Sequence, residues 1–161
     1  MDTSNDASSG IRGQAPFPLI WTGGTVTDSS GAPVSANWVV RQRIRSLDVS
    51  SPEGRTWRIA PLGLTTNRLL CDVDSDHPLH LIRMTRVFGP TGTRREIRTD
   101  DGDLLATTES VRASRGRGPS LKMELGQESR QEVEINATRF ADLTAVLLAL
   151  GRIDAMPQVR K

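Results

Sequence analysis

The sequence predicts a mainly β protein: a single antiparallel barrel or sandwich of about ten to twelve strands, with one buried apolar helix near the C-terminus. Turn signals rich in Gly, Pro, Asp and Ser recur roughly every ten to fifteen residues. Several segments between these turns alternate apolar and polar side chains, and one late segment is apolar on nearly every side. Frequent turns with alternating segments are typical of short antiparallel strands, whereas an unbroken apolar segment is typical of a buried helix.

The composition fits one domain, since the chain has 161 residues and domains commonly contain about 100–150. The formal net charge of +2 is too small to require a polyanionic partner. A single cysteine excludes a disulfide framework within the chain and a cysteine-rich zinc module. No apolar stretch approaches the length of a membrane span and no signal peptide is recognisable, so we expect a soluble, cytoplasmic protein.

The domain is expected to begin after a tail. Residues 1–16 contain little apolar side chain beyond Ile11 and are mostly small or polar. Because they can bury little apolar surface, we expect a disordered N-terminal tail. Residues 17–155 form the predicted β domain with its helix, and residues 156–161 form a flexible C-terminus.

The strand predictions rest on a period of two in side-chain polarity. In WVVRQRIR, residues 38–45, one face of the predicted strand is apolar and the other is mostly arginine. The apolar face, which is expected to pack on the core, holds Trp38, Val40 and Ile44, and the opposite, wet face holds Val39, Arg41, Arg43 and Arg45. Residues 120–125 and 132–135 alternate in the same way. Weaker strands are predicted near 17–22, 57–60, 79–88, 93–98, 104–108 and 111–114.

The segment TRFADLTAVLLAL, residues 138–150, predicts a helix that is apolar on nearly every side. Asn136 or Thr138 can cap its start, Asp142 lies where the helix dipole favours a negative charge, and Gly151 is expected to end it. Such a helix is about 20 Å long, too short for a bilayer, so we expect it inside the protein. The alternative is a helix that docks on a second subunit.

Three segments share the pattern of a strand, an acidic turn and a second strand. They are LDVSSPEGRTWRIA at 47–60, LLCDVDSDHPLHLIRM at 69–84 and REIRTDDGDLLATTES at 95–110. Followed by one apolar helix, the pattern resembles the LURP-one-related group of the Tubby C-terminal-like superfamily, which includes phospholipid scramblases. The resemblance spans roughly residues 38–153. The middle segment departs from it, with Asp76 and His77 where Gly is expected.

The resemblance implies a closed antiparallel barrel of about twelve strands with the C-terminal helix threaded through its centre. It also implies either a link to membrane lipids or no known role, because members of the superfamily are linked to membrane lipids or have no assigned role. It supplies no catalytic motif that could be transferred to residues of this chain.

The segment CDVDSDHPLH, residues 71–80, holds metal-ligand types but fits neither common site. A calcium loop starting at Asp72 needs Gly and Glu at its sixth and twelfth positions, which are His77 and Arg83. A structural zinc site needs four ligands, whereas the chain has one Cys and two His in total. We therefore predict an acidic hairpin turn without a metal, and a weak metal site is the alternative.

Other possible catalytic groups are also interpreted as structural. TDDGD at 99–103 has the Asp-Gly pair that tight hairpin turns use, so it is predicted to be a turn and not a pair of catalytic carboxylates. The chain has no G-x-S-x-G elbow and no Walker or dinucleotide-binding spacing. The acidic neighbours of Cys71 disfavour the thiolate that a nucleophile requires. We predict a protein that is not an enzyme and needs no cofactor.

The arginines are the candidate ligand-binding residues, because guanidinium groups pair with phosphates through two hydrogen bonds. Arg41, Arg43 and Arg45 share the predicted strand face, and Arg112, Arg115 and Arg117 lie in RASRGRG. The preference for arginine over lysine also suits a GC-rich, bacterial genome. The alternative is a solvated face that pairs with the acidic turns.

Three functions fit these observations. The first is weak binding of anionic phospholipid headgroups, or of a protein partner, through the arginine-rich face, since a basic patch is sufficient for an anionic membrane surface. The second is binding of nucleic-acid backbone, for which the chain offers few aromatic side chains to stack on bases. The third is a structural or assembly subunit of a phage or secretion particle. The ligand and the oligomeric state are left open.

Overall fold

The computed structural model describes residues 17–62, 68–72, 78–83, 94–111, 120–128, 131–132 and 135–155. Within them, ten strands form one antiparallel sheet, two short strands form a second, and one helix follows. The strands are β1 (Leu19–Thr22), β2 (Thr25–Thr27), β3 (Val39–Gln42), β4 (Leu47–Ser50), β5 (Thr56–Pro61), β6 (Arg68–Asp72), β7 (Leu79–Arg83), β8 (Arg94–Thr99), β9 (Leu104–Val111), β10 (Ser120–Leu125), β11 (Gln127–Glu128) and β12 (Gln131–Glu132); the helix is α1 (Ala137–Ala155). The prediction of a mainly antiparallel β fold with a C-terminal helix is confirmed.

The large sheet curves around the helix. Its strand order is β2-β1-β10-β9-β8-β7-β6-β5-β4-β3, and α1 lies against strands at both ends of that order. Ten strands spaced about 4.8 Å apart would extend roughly 40 Å if flat. One helix can therefore contact both ends only because the sheet curls. At one edge, Val34 donates its backbone N–H to the carbonyl of Val26 at 2.9 Å, which brings the segment leading into β3 alongside β2.

The core lies between the inner face of this sheet and α1. All residues from Asp142 to Gly151 are buried, and Leu147 has no exposed surface. The largest fully buried side chains of the strands are Leu19, Trp57, Ile59, Leu70, Leu79, Leu81, Ile97, Leu121 and Met123. The prediction of a buried apolar helix is thus confirmed. No helix in the described ranges is long and apolar enough to cross a membrane.

The helix begins as predicted and ends later than predicted. Asn136 accepts a hydrogen bond from the backbone N–H of Arg139 at 2.8 Å, which is the contact of an N-cap residue. Gly151 does not end the helix, which continues to residue 155. At Gly151 the indole ring of Trp21 on β1 lies so close that a Cβ would overlap it. Glycine occurs there because it allows the helix to approach the sheet. The prediction that Gly151 ends the helix was therefore wrong.

Asp142 anchors the helix to the sheet. Its carboxylate accepts hydrogen bonds from the indole N–H of Trp57 at 2.8 Å, from Arg55 at 3.1 Å and from Arg139 at 3.1 Å. Trp57 also stacks on Trp38 with ring centroids 5.2 Å apart. These contacts compensate the burial of the charge. From the sequence, Asp142 was expected only to occupy a favourable place in the helix dipole, and its role as an anchor was not predicted.

The three repeated segments form antiparallel hairpins, as predicted, through the pairs β4–β5, β6–β7 and β8–β9. Gly54 and Gly102, in the turns of the first and third hairpins, have φ values of 98° and 96°. Positive φ values in this range favour glycine. Thr99 donates its backbone N–H to the carbonyl of Asp103 at 2.9 Å, which confirms that TDDGD is a turn. The turn of the middle hairpin, with His77, lies outside the described residues, as do residues 1–16 and 156–161.

Candidate anion-binding site

The predicted row of three arginines on one strand face does not form, because β3 ends before Arg43. The backbone N–H of Arg43 donates to the carbonyl of Ser46 at 2.8 Å, which closes a turn between β3 and β4. Arg41 remains on β3, and Arg45 lies in the turn. The turn contains neither Gly nor Pro, so the period-two pattern continues through it without a local signal.

We call residues 43–46 the arginine turn. Its tip carries Ile44, whose side chain is 97% exposed, so the prediction that Ile44 faces the core is wrong. Arg43 and Arg45 flank it and are also exposed. An exposed apolar side chain between two long cationic ones makes the tip of this turn amphipathic.

The charge of Arg43 is partly compensated within the protein. Its Nη1 atom lies 3.0 Å from Oδ2 of Asp48, and Arg58 donates to the same carboxylate at 2.9 Å through Nε. The hydrogen bond from Arg58, aided by that from Arg43, lowers the pKa of Asp48 against the opposing effect of burial. Asp48 therefore holds the base of the arginine turn, while the side chain of Arg43 remains 52% exposed.

A cavity of about 220 Å³ opens beside the arginine turn. It is lined by Gln42, Ile44, Arg45, Ser46, Leu47, Ile59, Arg68 and Ile153. The side chains of two arginines, an amide and a hydroxyl supply hydrogen-bond donors, and no carboxylate is among these lining residues. The described lining is therefore suited to an anion with an apolar part.

Arg68 is the half-buried cation of this cavity, at the start of β6. In the described part of the chain, no carboxylate lies within ion-pair distance of its guanidinium group. Burial, followed by the positive charge of Arg95, lowers the pKa of Arg68, while Asp154 acts in the opposite direction. The group nevertheless stays protonated, as arginine does in proteins. A bound anion would offset the cost of burying it.

The neighbouring Arg95 is neutralised by Asp154. Two guanidinium nitrogens of Arg95 donate to the two carboxylate oxygens of Asp154 at 3.1 and 2.8 Å. Arg95 is buried on β8, and Asp154 belongs to the last turn of α1, so this pair fixes the helix end near the cavity. Arg68, in contrast to Arg95, has no such ion pair with any of the described residues.

Arg112, Arg115 and Arg117 lie outside the described ranges, so their role stays a prediction. His80 lies half-buried on β7. The residues that can be described contain no group of three or more His, Cys, Asp or Glu side chains placed to hold a metal ion.

Sequence reasoning missed Arg68, Gln42 and Ser46 as members of the site. These residues come from β6, β3 and the arginine turn, and no common spacing or motif links them. Arg68 lies in the same basic part of the chain as the predicted arginines, which is the one signal that pointed toward it.

Comparisons of the chain with protein-family models, with curated proteins and with solved structures gave no match. Its function is therefore inferred from the chemistry of the arginine turn and the cavity.

Proposed function

We propose that this chain is a non-enzymatic binding module that attaches weakly to anionic phospholipid headgroups. The binding face consists of Arg41, the arginine turn and the cavity beside it. The observation that carries the proposal is the fully exposed Ile44 between two exposed arginines. Basic residues near a membrane are attracted by its negative surface potential, and an apolar side chain adds burial in the headgroup layer.

We also propose that the curved sheet belongs to a closed barrel around α1, as the resemblance to the Tubby C-terminal-like superfamily implies. The helix contacts strands at both ends of the sheet order, which supports closure. Pro33 forms a bridge with Thr27 at the edge of β2, and the chain continues from there into β3. A closed barrel has no free sheet edge and would hold the arginine turn on a rigid rim.

Replacing Arg41 and Arg45 with glutamine should abolish most vesicle binding. We expect wild-type protein to sediment with vesicles that contain anionic lipid and not with neutral vesicles, with binding that weakens steeply as salt is added. The double variant should bind anionic vesicles roughly 30-fold more weakly, because two cationic contacts of about 1 kcal/mol each are lost. Arg43 is kept because its contact with Asp48 supports the fold.

The matched control replaces Arg94 and Lys122, two exposed cations on β8 and β10, with glutamine. It removes the same charge from a distant part of the sheet and should bind like wild-type protein. If both variants lost vesicle binding equally, the binding would depend on net charge alone and the proposed binding face would be contradicted. The nucleic-acid function would be favoured by a different result. In that case wild-type protein would bind single-stranded nucleic acid and not vesicles, and the Arg41 and Arg45 changes would abolish the nucleic-acid binding.

A further inference from the structure

We propose that the cavity beside the arginine turn binds a phosphomonoester group, with Arg45 and Arg68 as its cationic ligands. This inference names the ligand class of the proposed binding face, and it rests on the proposed function where the phosphate belongs to a lipid. The same group also occurs on small soluble molecules, so the two sources need separate experiments.

Charge is the first argument for a phosphomonoester. Arg45 and Arg68 line the cavity, and no described lining residue is acidic. The charges of the nearby Arg95 and Asp154 cancel in a bidentate pair. Two positive charges are therefore left for a ligand, and a phosphomonoester carries about −1.5 to −2 at neutral pH. A phosphodiester carries one negative charge and a carboxylate also one, so each would leave the cavity positive.

The hydrogen-bonding groups are the second argument. A guanidinium group presents paired N–H donors that match two oxygens of a phosphate. Gln42 donates one N–H to the backbone carbonyl of Arg43 at 2.9 Å, which orients its amide and leaves the second N–H. Ser46, another lining residue, adds a hydroxyl. A monoester has three terminal oxygens to accept these donors, whereas a diester has two.

Size and polarity are the third argument. At about 220 Å³ the cavity is smaller than the roughly 300–1,000 Å³ of pockets that enclose drug-sized ligands. It therefore suits a phosphate and the first atoms of its ester better than a whole nucleotide. Ile59 and Ile153 supply apolar lining for the ester carbon, and the exposed Ile44 also lines the cavity.

Soluble ligands test the site itself. Titration calorimetry at constant ionic strength would compare glycerol 3-phosphate, a monoester, with dimethyl phosphate, a diester. We expect the monoester to bind about tenfold or more tightly, and Arg68→Gln to weaken it by a similar factor because a charged hydrogen-bond donor is lost. Arg45→Gln is the second variant, and Lys122→Gln, which lies outside the cavity, is the control that should leave binding unchanged. Equal affinities for the two esters would overturn the inference.

Vesicles test the lipid source. Vesicles containing phosphatidic acid, a monoester lipid, would be compared with phosphatidylglycerol vesicles of equal measured surface charge. If wild-type protein prefers phosphatidic acid and Arg68→Gln removes that preference, the result supports the inference and shows that the phosphomonoester belongs to a lipid. Tight binding of soluble monoester without vesicle binding supports the inference and contradicts the membrane function. Equal binding to both vesicle types, with no soluble monoester bound, contradicts the inference and leaves the membrane function standing.

Discussion

Leu147→Asp should leave no folded, soluble protein. Leu147 has no exposed surface and lies in the stretch of α1 that is buried throughout. The substitution removes a core side chain and places a carboxylate among apolar groups, with a cost of several kcal/mol against a total stability of about 5–15 kcal/mol. The expected result is loss of the cooperative thermal transition and recovery of the variant in the insoluble fraction.

Leu147→Met is the matched control for this experiment. Methionine conserves most of the side-chain volume, so its cost should stay below about 1.5 kcal/mol and the protein should remain folded. A Leu147→Asp protein that is soluble, monomeric and cooperatively folded would show that α1 is not enclosed by the sheet. The proposed barrel would then be wrong.

Asp142→Asn should lower the free energy of unfolding by about 1–3 kcal/mol. The carboxylate is buried and accepts hydrogen bonds from Trp57, Arg55 and Arg139. Loss of a buried hydrogen-bond partner costs about 1–3 kcal/mol, and the side chains of Arg55 and Arg139 are exposed enough for water to solvate part of their charge. Asparagine has nearly the same side-chain shape as aspartate, so the loss of unfolding free energy comes from charge and hydrogen bonding and not from a cavity. Urea denaturation of both proteins measures the difference.

Glu124→Gln makes the same chemical change on the surface. Glu124 contacts Lys122 at 3.1 Å on β10 and is mostly exposed. Exposed ion pairs contribute little, so the urea midpoint should stay at the wild-type value. Equal midpoints for Asp142→Asn and Glu124→Gln would contradict the assignment of Asp142 as the anchor between helix and sheet.

The parts of the fold that the sequence predicted correctly depend on neighbouring residues. Gly54 and Gly102 mark hairpin turns because their left-handed backbone is a local requirement. Asn136 caps the helix through the backbone N–H three residues later. The alternation in 120–125 likewise needs only adjacent residues to predict which side chains face the core.

The parts that could not be predicted depend on contacts between distant segments. Gly151 has the local signature of a helix end, yet its reason for being glycine is Trp21. Two partners of Asp142, Trp57 on β5 and Arg55 just before it, lie 85 and 87 residues away in the chain. The cavity is made the same way, since Arg45, Arg68 and Ile153 come from a turn, a strand and the helix. No local pattern encodes such a juxtaposition.

The arginine row shows a different kind of error. The alternation through residues 38–45 is real, but the chain turns within it, so the single strand that the period of two predicted was wrong. The turn moves Ile44 from the predicted core to the surface and leaves Arg45 beside the cavity. The candidate arginines were thus identified, whereas their arrangement was not.

The central claim, that the arginine turn contacts an anionic membrane, can be measured with a polarity-sensitive dye at position 44. The native Cys71, the one cysteine of the chain, would be replaced by serine, and the dye attached to Ile44→Cys or, as a control, to Glu53→Cys. Glu53 is exposed in the turn at the opposite end of β4. Dye at position 44 should shift to the blue with anionic vesicles and not with neutral ones, while dye at position 53 should not respond. No shift at position 44, or equal shifts at both positions, would contradict the claim.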